Sequence, residues 1–288
     1  MPDKFAATWV SHSSIKDFQS CPRSYYLKNI YKDPQTGHKV QIISPALSLG
    51  QVVHQVVEEL SQKKVEDRFK TSLIERFEEL WEGVTGKRGG FRSQSHELQF
   101  KERGKKILQK VMADPGPLKQ LAVKIKEELP FYWISESDEI ILCGKIDWLE
   151  YLPDTDTVNI IDFKTSLREE KEGSLQLPIY LLLVTHTQKR QVSGLSYWYL
   201  ELDNKPKAQK MPDLDKSHRK VLEIAKKIKL ARKLDHFNCP AGEGGCPFCK
   251  PHEKILKGEA ELVGEGGYGR DIYILPEATG VEMESEVL

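Results

Sequence analysis

Gly144-Lys145-Ile146-Asp147 and, fifteen residues beyond that aspartate, Ile160-Ile161-Asp162-Phe163-Lys164 are the two segments whose reading decides the fold. Each acid follows apolar residues of strand character, and Asp154-Thr155-Asp156 marks a turn between them. Adjacent strands joined in this way bring Asp147 and Asp162 together on one sheet face. Two carboxylates held close repel, and a divalent cation relieves the repulsion. Mg²⁺ takes one or two carboxylates together with water and phosphate oxygens. Lys164 lies two positions from Asp162, so strand alternation places its ammonium on the same face, where it can position a water or stabilise charge on a phosphate. Two acids and a lysine around a cation suit phosphodiester hydrolysis.

Outward from this pair, the chain reads as helices first and then a small sheet flanked by helices. Ser13 or Ser14 is expected to cap a helix through Ile15, Phe18, Tyr25 and Tyr26 toward Ile30. Apolar residues at helical spacing predict helices over 47–60 and 65–81, with a loop over 83–90 and a further helix over 96–112. Strands are expected over 121–128, 139–151 and 158–164. A helix is expected over 174–186, a strand over 194–202 and a basic amphipathic helix over 216–234. After Lys257 the chain is rich in Gly and Glu and reads as a loosely held tail, 258–288. The order implies one α/β domain over 10–257 with a helical N-terminal part and a cysteine-rich C-terminal loop.

The bulk numbers exclude little. The 288 residues carry 43 Lys+Arg and 43 Asp+Glu, so net charge is silent about a polyanionic partner. Met1 to Val10 has no apolar run like a signal-peptide core, and Ile179 to Val184, the most apolar segment, is too short to span a bilayer. A cytoplasmic protein without a membrane partner is expected, in which five cysteines are not structural disulfides. There is no Walker A motif, so ATP-driven unwinding would have to come from another chain.

Four separated segments, in order, resemble the RecB/AddB-like branch of the PD-(D/E)XK nuclease superfamily, which includes CRISPR-associated RecB-like exonucleases. Val10-Ser-His-Ser-Ser-Ile-Lys-Asp-Phe-Gln-Ser-Cys21-Pro-Arg-Ser-Tyr-Tyr-Leu27 is similar to that branch's N-terminal helix. Leu49-Gly50-Gln-Val-Val-His54 is similar to its G-x-x-x-H helix. Gly144 to Lys164 matches the two-strand core, with Asp162 preceding Phe163-Lys164 in the last motif, and Gln176-Leu-Pro-Ile-Tyr180 matches the Q-x-x-x-Y helix. The resemblance implies a restriction-endonuclease-like core with a small mixed sheet flanked by helices. It implies His54, Asp147, Asp162 and the carbonyl of Phe163 as ligands of Mg or Mn, and Lys164 as the residue that orients or deprotonates the attacking water. Gln176 and Tyr180 would lie beside the site. Glu127 or Glu128 stands where the family often carries a further acid. The implied activity is hydrolysis of DNA, single-stranded or from ends, in repair, recombination or defence, with a helicase or CRISPR/repair partner.

Cys239-x6-Cys246-x2-Cys249 suits either a tetrahedral zinc or an iron–sulfur cluster. The resemblance implies a [4Fe-4S] cluster in which Cys21 joins these three. The sequence departs from the family pattern, because Cys239 lies upstream of the C-x2-C pair and no cysteine follows Cys249. Zinc held by Cys239, Cys246, Cys249 and His252 is the alternative. Cys143 reads as a buried small hydrophobe.

The basic runs, Lys101 to Lys106 and Arg219 to Lys233, read equally as phosphate-tracking or as solvated helix faces. Two other functions compete with catalysis. One is a non-catalytic DNA-binding scaffold, disfavoured because no position of the motif has decayed. The other is an iron–sulfur redox sensor of the same fold.

Overall fold

A computed structural model describes residues 3–125, 127, 129–267 and 269–276. Along the chain these form β1 (Thr8–Val10), α1 (His12–Ser20), α2 (Pro22–Asn29), β2 (Lys39–Ile42), α3 (Pro45–Glu58), α4 (Leu73–Trp81) and α5 (Gln94–Ala113). Then come β3 (Phe131–Ser135), β4 (Ile140–Cys143), β5 (Trp148–Leu152), β6 (Thr157–Lys164), α6 (Gln176–Thr187), β7 (Gln191–Tyr199) and β8 (Lys207–Ala208). The chain continues through α7 (Leu214–Lys233), α8 (Lys250–Leu256), β9 (Glu261–Gly266) and β10 (Arg270–Ile274). Among the described residues no helix is long and apolar enough to cross a membrane.

The strands form three small sheets flanked by helices, ordered β5-β6-β7-β8, β1-β4-β3 and β2-β10-β9. The first is mixed: β6 pairs antiparallel with β5 and parallel with β7. Strand alternation in β6 builds two cores. Val158 and Ile160 pack toward α6 and α7, whereas Ile161 and Phe163 pack toward α3, α4 and α5. Asp162 and Lys164 share the first of these faces. A sheet covered on both sides holds its central strand rigidly, which suits a site that must keep charged groups in place.

Several sequence expectations are corrected. The first helix is capped by Ser11, which forms a reciprocal capping box with Ser14. It is broken in two at Cys21-Pro22: a residue before proline is pushed out of the helical region, and Cys21 is extended at φ −169°, ψ 120°. Of the helix expected over 65–81, only Leu73–Trp81 is α-helical; Val65–Asp67 is a single tight turn. Segment 121–125 forms no strand, only an isolated bridge between Ala122 and Glu150, and Glu128 lies outside the described residues. The strand expected over 139–151 is two strands in different sheets, with Gly144 to Asp147 as the crossing segment. Of the loose tail expected over 258–288, residues 277–288 lie outside the described residues, and the described part supplies β9 and β10, which pair with each other and lay β10 parallel to β2.

One buried cation ties the α3 layer to the sheet. Arg68, 3% exposed, donates to the carbonyls of Leu60, Leu118 and Gln120 at 3.0, 2.8 and 2.6 Å, and stacks 5.0 Å from the Trp148 ring. Arg68→Ala would leave those carbonyls unpaired beneath the residue that follows Asp147, and we expect a loss of about 3 kcal/mol of stability. Chemical denaturation measures it; an unchanged midpoint would show that water replaces the guanidinium without cost.

Candidate active site and cysteine centre

The register of β5 and β6 places the two acids. Trp148 pairs with Ile161, so continuing the antiparallel ladder by one residue sets Asp147 opposite Asp162. Asp147 Oδ2 accepts a hydrogen bond from the backbone N–H of Phe163 at 2.9 Å, which carries the pairing past the end of β5. Asp162 is almost fully buried, and the N–H groups of Gln176 and the ammonium of Lys164 close around it. Gln176 Nε2 donates to Asp162 Oδ1 at 2.7 Å, and Lys164 Nζ lies 2.8 Å from Oδ2. Lys164 also donates to Gln176 Oε1 at 2.6 Å, and the Gln176 amide reaches Tyr180 Oη at 3.3 Å. Pro178 falls in the first turn of α6, where its missing N–H has no intrahelical partner to lose. The helix therefore starts at Gln176, which with Tyr180 one turn later faces β6.

From the other side, α3 presents His54. Its Nδ1 lies 3.5 Å from Asp147 Oδ2 and 3.4 Å from Oε1 of Glu58, one helical turn on. Lys145 pairs with the second oxygen of Glu58. Gly50, in the same helix, explains how closely α3 approaches the strand end: a Cβ there would stand 3.2 Å from Thr165 Oγ1. Arg103 of α5 donates to the carbonyl of Thr165 at 2.9 Å and pairs with Glu201. Helices α3 and α5 thus hold the residue that follows Lys164. Beside them opens a cleft of about 680 Å³ lined by His54, Glu58, Lys145, Asp147 and Trp148.

All the sequence-derived residues of the acidic site, His54, Asp147, Asp162, Phe163, Lys164, Gln176 and Tyr180, are brought into this one connected set. Glu127 is exposed on the rim of the cleft. Sequence reasoning missed Glu58, although a carboxylate four residues after a motif histidine is a readable signal. It also missed Glu170, whose carboxylate lies 3.9 Å from Lys164 and 3.7 Å from Lys16. The basic run of α5 is largely spent on ion pairs, since Lys101 and Lys105 both pair with Glu78 of α4 at 2.6 Å.

Burial dominates the electrostatics. Burial, reinforced by the charge of Asp162, pushes Asp147 up to about 7 against the pull of His54. Asp162 is raised as well, burial again leading, while Lys164 and His54 act the other way. At His54 burial works to lower the value, but the Glu58 hydrogen bond and the charges of Asp147, Glu58 and Asp162 outweigh it, and the imidazole titrates above its ordinary value. The donor set fits a divalent cation. Ligand atoms of His54, Glu58 and Asp147 lie within 4.8 Å of one another, beside a second buried carboxylate that repels the first.

At the opposite end of the N-terminal helices a second centre forms. The sulfurs of Cys21, Cys239, Cys246 and Cys249 all lie within 4.8 Å of one another. Cys249 Sγ stands 3.7 Å from both Cys239 Sγ and Cys246 Sγ. Cys21 reaches the group because the Cys-Pro break turns it inward at the junction of α1 and α2. Arg23 clamps Glu253 of α8 through a two-point pair at 2.6 and 3.3 Å, and Ser24 Oγ donates to the Phe248 carbonyl at 3.0 Å. His252 is buried close by but is not among the residues that converge. Cys143 is buried in β4, 3.5 Å from the Val10 carbonyl and apart from the group.

An α/β core that sets two acids, a lysine and a histidine at the edge of a small mixed sheet defines a restriction-endonuclease-like protein. The sequence matches the family model of the PD-(D/E)XK nuclease superfamily over residues 9–253, and the chain belongs to that superfamily. Nothing among curated proteins matches it. Enzymes of this superfamily are nucleases that use divalent metals.

The raised carboxyl gives a pH signature with a definite sign. Asp147 titrates near 7 in the folded state and near 3.8 unfolded, so between these values the folded state holds more protons. Stability of the metal-free protein therefore falls as pH rises from about 4 to about 7. Thermal melts in EDTA should show this fall, and Asp147→Asn, which cannot ionise, should flatten it. An equally steep fall in the variant would assign the effect to other groups.

Proposed function

We propose that the protein is a divalent-metal-dependent deoxyribonuclease of the RecB/AddB-like branch, acting on single strands or DNA ends. The observation that carries this reading is the facing pair Asp147 and Asp162, buried together with Lys164 beside one of them and His54 beside the other. The bound cation, Mg²⁺ or Mn²⁺, supplies Lewis acidity to the phosphodiester and neutralises its charge. His54, Asp147, Asp162 and the Phe163 carbonyl would hold it.

The chain's own residues do the rest. Lys164 holds its ammonium at the carboxylate edge, where it can orient the attacking water; only in its neutral amine form would Nζ take the water's proton. Gln176 fixes that ammonium through Oε1 and fixes Asp162 through Nε2, so one side chain sets the distance between lysine and acid. Tyr180 steadies the amide of Gln176. The cleft beside His54 offers a path for the strand, with Asp147 on its wall and Asp162 buried behind it. Unwinding of duplex substrates would fall to a helicase-type or CRISPR/repair partner. We take 10–257 as the nuclease unit, with β9 and β10 as an addition to it.

Purified protein with Mn²⁺ should degrade end-labelled single-stranded DNA and leave a circular single strand intact. Asp162→Ala should abolish cleavage and Lys164→Ala should reduce it about 10³-fold. Wild type that cuts no DNA form, or Asp162→Ala that cuts equally well, would refute the reading and favour a DNA-binding scaffold. Cleavage of the circle would reassign the enzyme as an endonuclease.

For the cysteine centre we propose a single tetrahedral ion held by Cys21, Cys239, Cys246 and Cys249. Four thiolates around one zinc, each at about 2.3 Å, stand about 3.8 Å apart. In a [4Fe-4S] cluster each thiolate binds a different iron, so the sulfurs lie farther apart. The convergence of all four sulfurs within 4.8 Å of one another supports one ion with Cys21, not His252, as the fourth ligand, and the [4Fe-4S] cluster that the resemblance implies would use the same four thiolates. Anaerobically purified protein should contain one zinc per chain and no sulfide, and Cys21→Ser should lower both zinc content and melting temperature while His252→Ala leaves zinc in place. Iron and sulfide in near four-to-four stoichiometry would establish the cluster and make redox sensing the reading to test next.

A further inference from the structure

Glu58 lies outside the motif that the family resemblance marks, yet it faces the same carboxylate as His54. One turn of α3 separates the two residues, and their side chains meet with Glu58 Oε1 3.4 Å from His54 Nδ1. The Glu58 side chain is only 13% exposed, so its charge needs a partner. The partner is Lys145, two residues before Asp147, whose own side chain is 65% exposed at the rim of the cleft. A strongly hydrated ammonium on a flexible stem is a counter-ion that can leave. Asp162 meets the site from the α6 side, with Gln176 donating to Oδ1 and the Lys164 ammonium 2.8 Å from Oδ2. The donors that line the open cleft are His54, Glu58 and Asp147, whose ligand atoms lie within 4.8 Å of one another.

We propose that Glu58 donates a carboxylate oxygen directly to the cation that His54 and Asp147 hold, and that Lys145 occupies the place of that cation in the metal-free protein. The cation displaces the ammonium from Glu58, and the released lysine swings into the cleft. No bond to carbon or phosphorus changes; one ion exchanges for another at a buried carboxylate. This inference rests on the reading of Asp147 as a metal ligand. A donor set of one imidazole nitrogen and two carboxylates is well suited to Mn²⁺, which is the probe.

Binding of Mn²⁺ to the full-length protein is measured by electron paramagnetic resonance, with no DNA present. Glu58→Gln should weaken binding about tenfold or more, and Lys145→Met should tighten it several-fold. Two double variants separate direct ligation from indirect effects. If Glu58 binds the cation itself, Glu58→Gln still weakens binding in a His54→Ala background. If Lys145 competes for Glu58, Lys145→Met loses its effect in a Glu58→Gln background. The proposal is overturned by a Glu58→Gln affinity within twofold of wild type, by loss of the Glu58 effect when His54 is absent, or by a Lys145 effect that persists without Glu58. Lys145 is exposed, so Lys145→Met keeps the fold and tests the idea even where Glu58→Gln unfolds. Asp147→Asn discriminates the two levels. If it abolishes Mn²⁺ binding while Glu58→Gln does not alter it, only this inference falls; if neither matters, the nuclease centre falls with it.

Discussion

Asp147 and Asp162 face each other across the end of an antiparallel ladder, both withdrawn from water. Two unit charges a few ångströms apart in a weakly screened interior are strongly unfavourable unless compensated. Nearly every nearby feature offsets that repulsion. The Phe163 N–H donates to one carboxylate and the Gln176 amide to the other. Lys164 pairs with Asp162, His54 stands by Asp147, and burial lets Asp147 keep a proton up to about 7. A divalent cation would remove the need for that proton. The same repulsion that costs stability without metal would give the site affinity for one.

Two cores hold this pair against relaxation. Because β6 alternates, the residue between the acid and the lysine, Phe163, is anchored among Trp148, Trp198 and the helices α3 to α5, while Asp162 and Lys164 point toward α6. A strand fixed on one face cannot twist to separate the charges on the other. Gly50 and Arg103 extend the restraint past the strand: the first lets α3 come close, and the second grips the Thr165 carbonyl. The cysteine group brings together different parts of the chain. Cys21 meets residues more than two hundred positions away, so a metal held there would close a loop around the segment that folds the site.

The site was more legible than the fold that carries it. Asp147, Asp162 and Lys164 were readable because strand alternation and a short turn constrain where side chains go. Gln176 and Tyr180 came from the resemblance to the Q-x-x-x-Y helix, since a one-turn spacing alone also fits residues at the edge of a core. The connected geometry of β4 and β5 was not readable: Gly144-Lys145 interrupts the stretch from Ile140 to Leu152, but nothing local reveals that the halves on either side enter different sheets. Strand β10 was hidden for a similar reason: its partner β2 lies some 230 residues earlier, and parallel pairing at that distance leaves no local signature. The short strand β1 depends wholly on β4 in the same way. The helix break at Cys21 was legible in principle, because proline forbids the residue before it from staying helical.

Cys21-Pro22 shows how one local constraint serves two distant needs. Were α1 to continue unbroken, residue 21 would project from a regular helix surface, and α2 could not turn back toward α8. The break turns Cys21 inward and points α2 at Glu253 and the Phe248 carbonyl, while α1 runs back toward β6 with Lys16 beside Glu170. Glu170 in turn lies beside Lys164. The N-terminal helices thus touch the thiolate centre at one end and the loop after the lysine at the other. The two ends of α1 are set by separate local signals, the Ser11–Ser14 capping box at its start and Pro22 just past its end, so the helix has a fixed length between the acidic site and the thiolates.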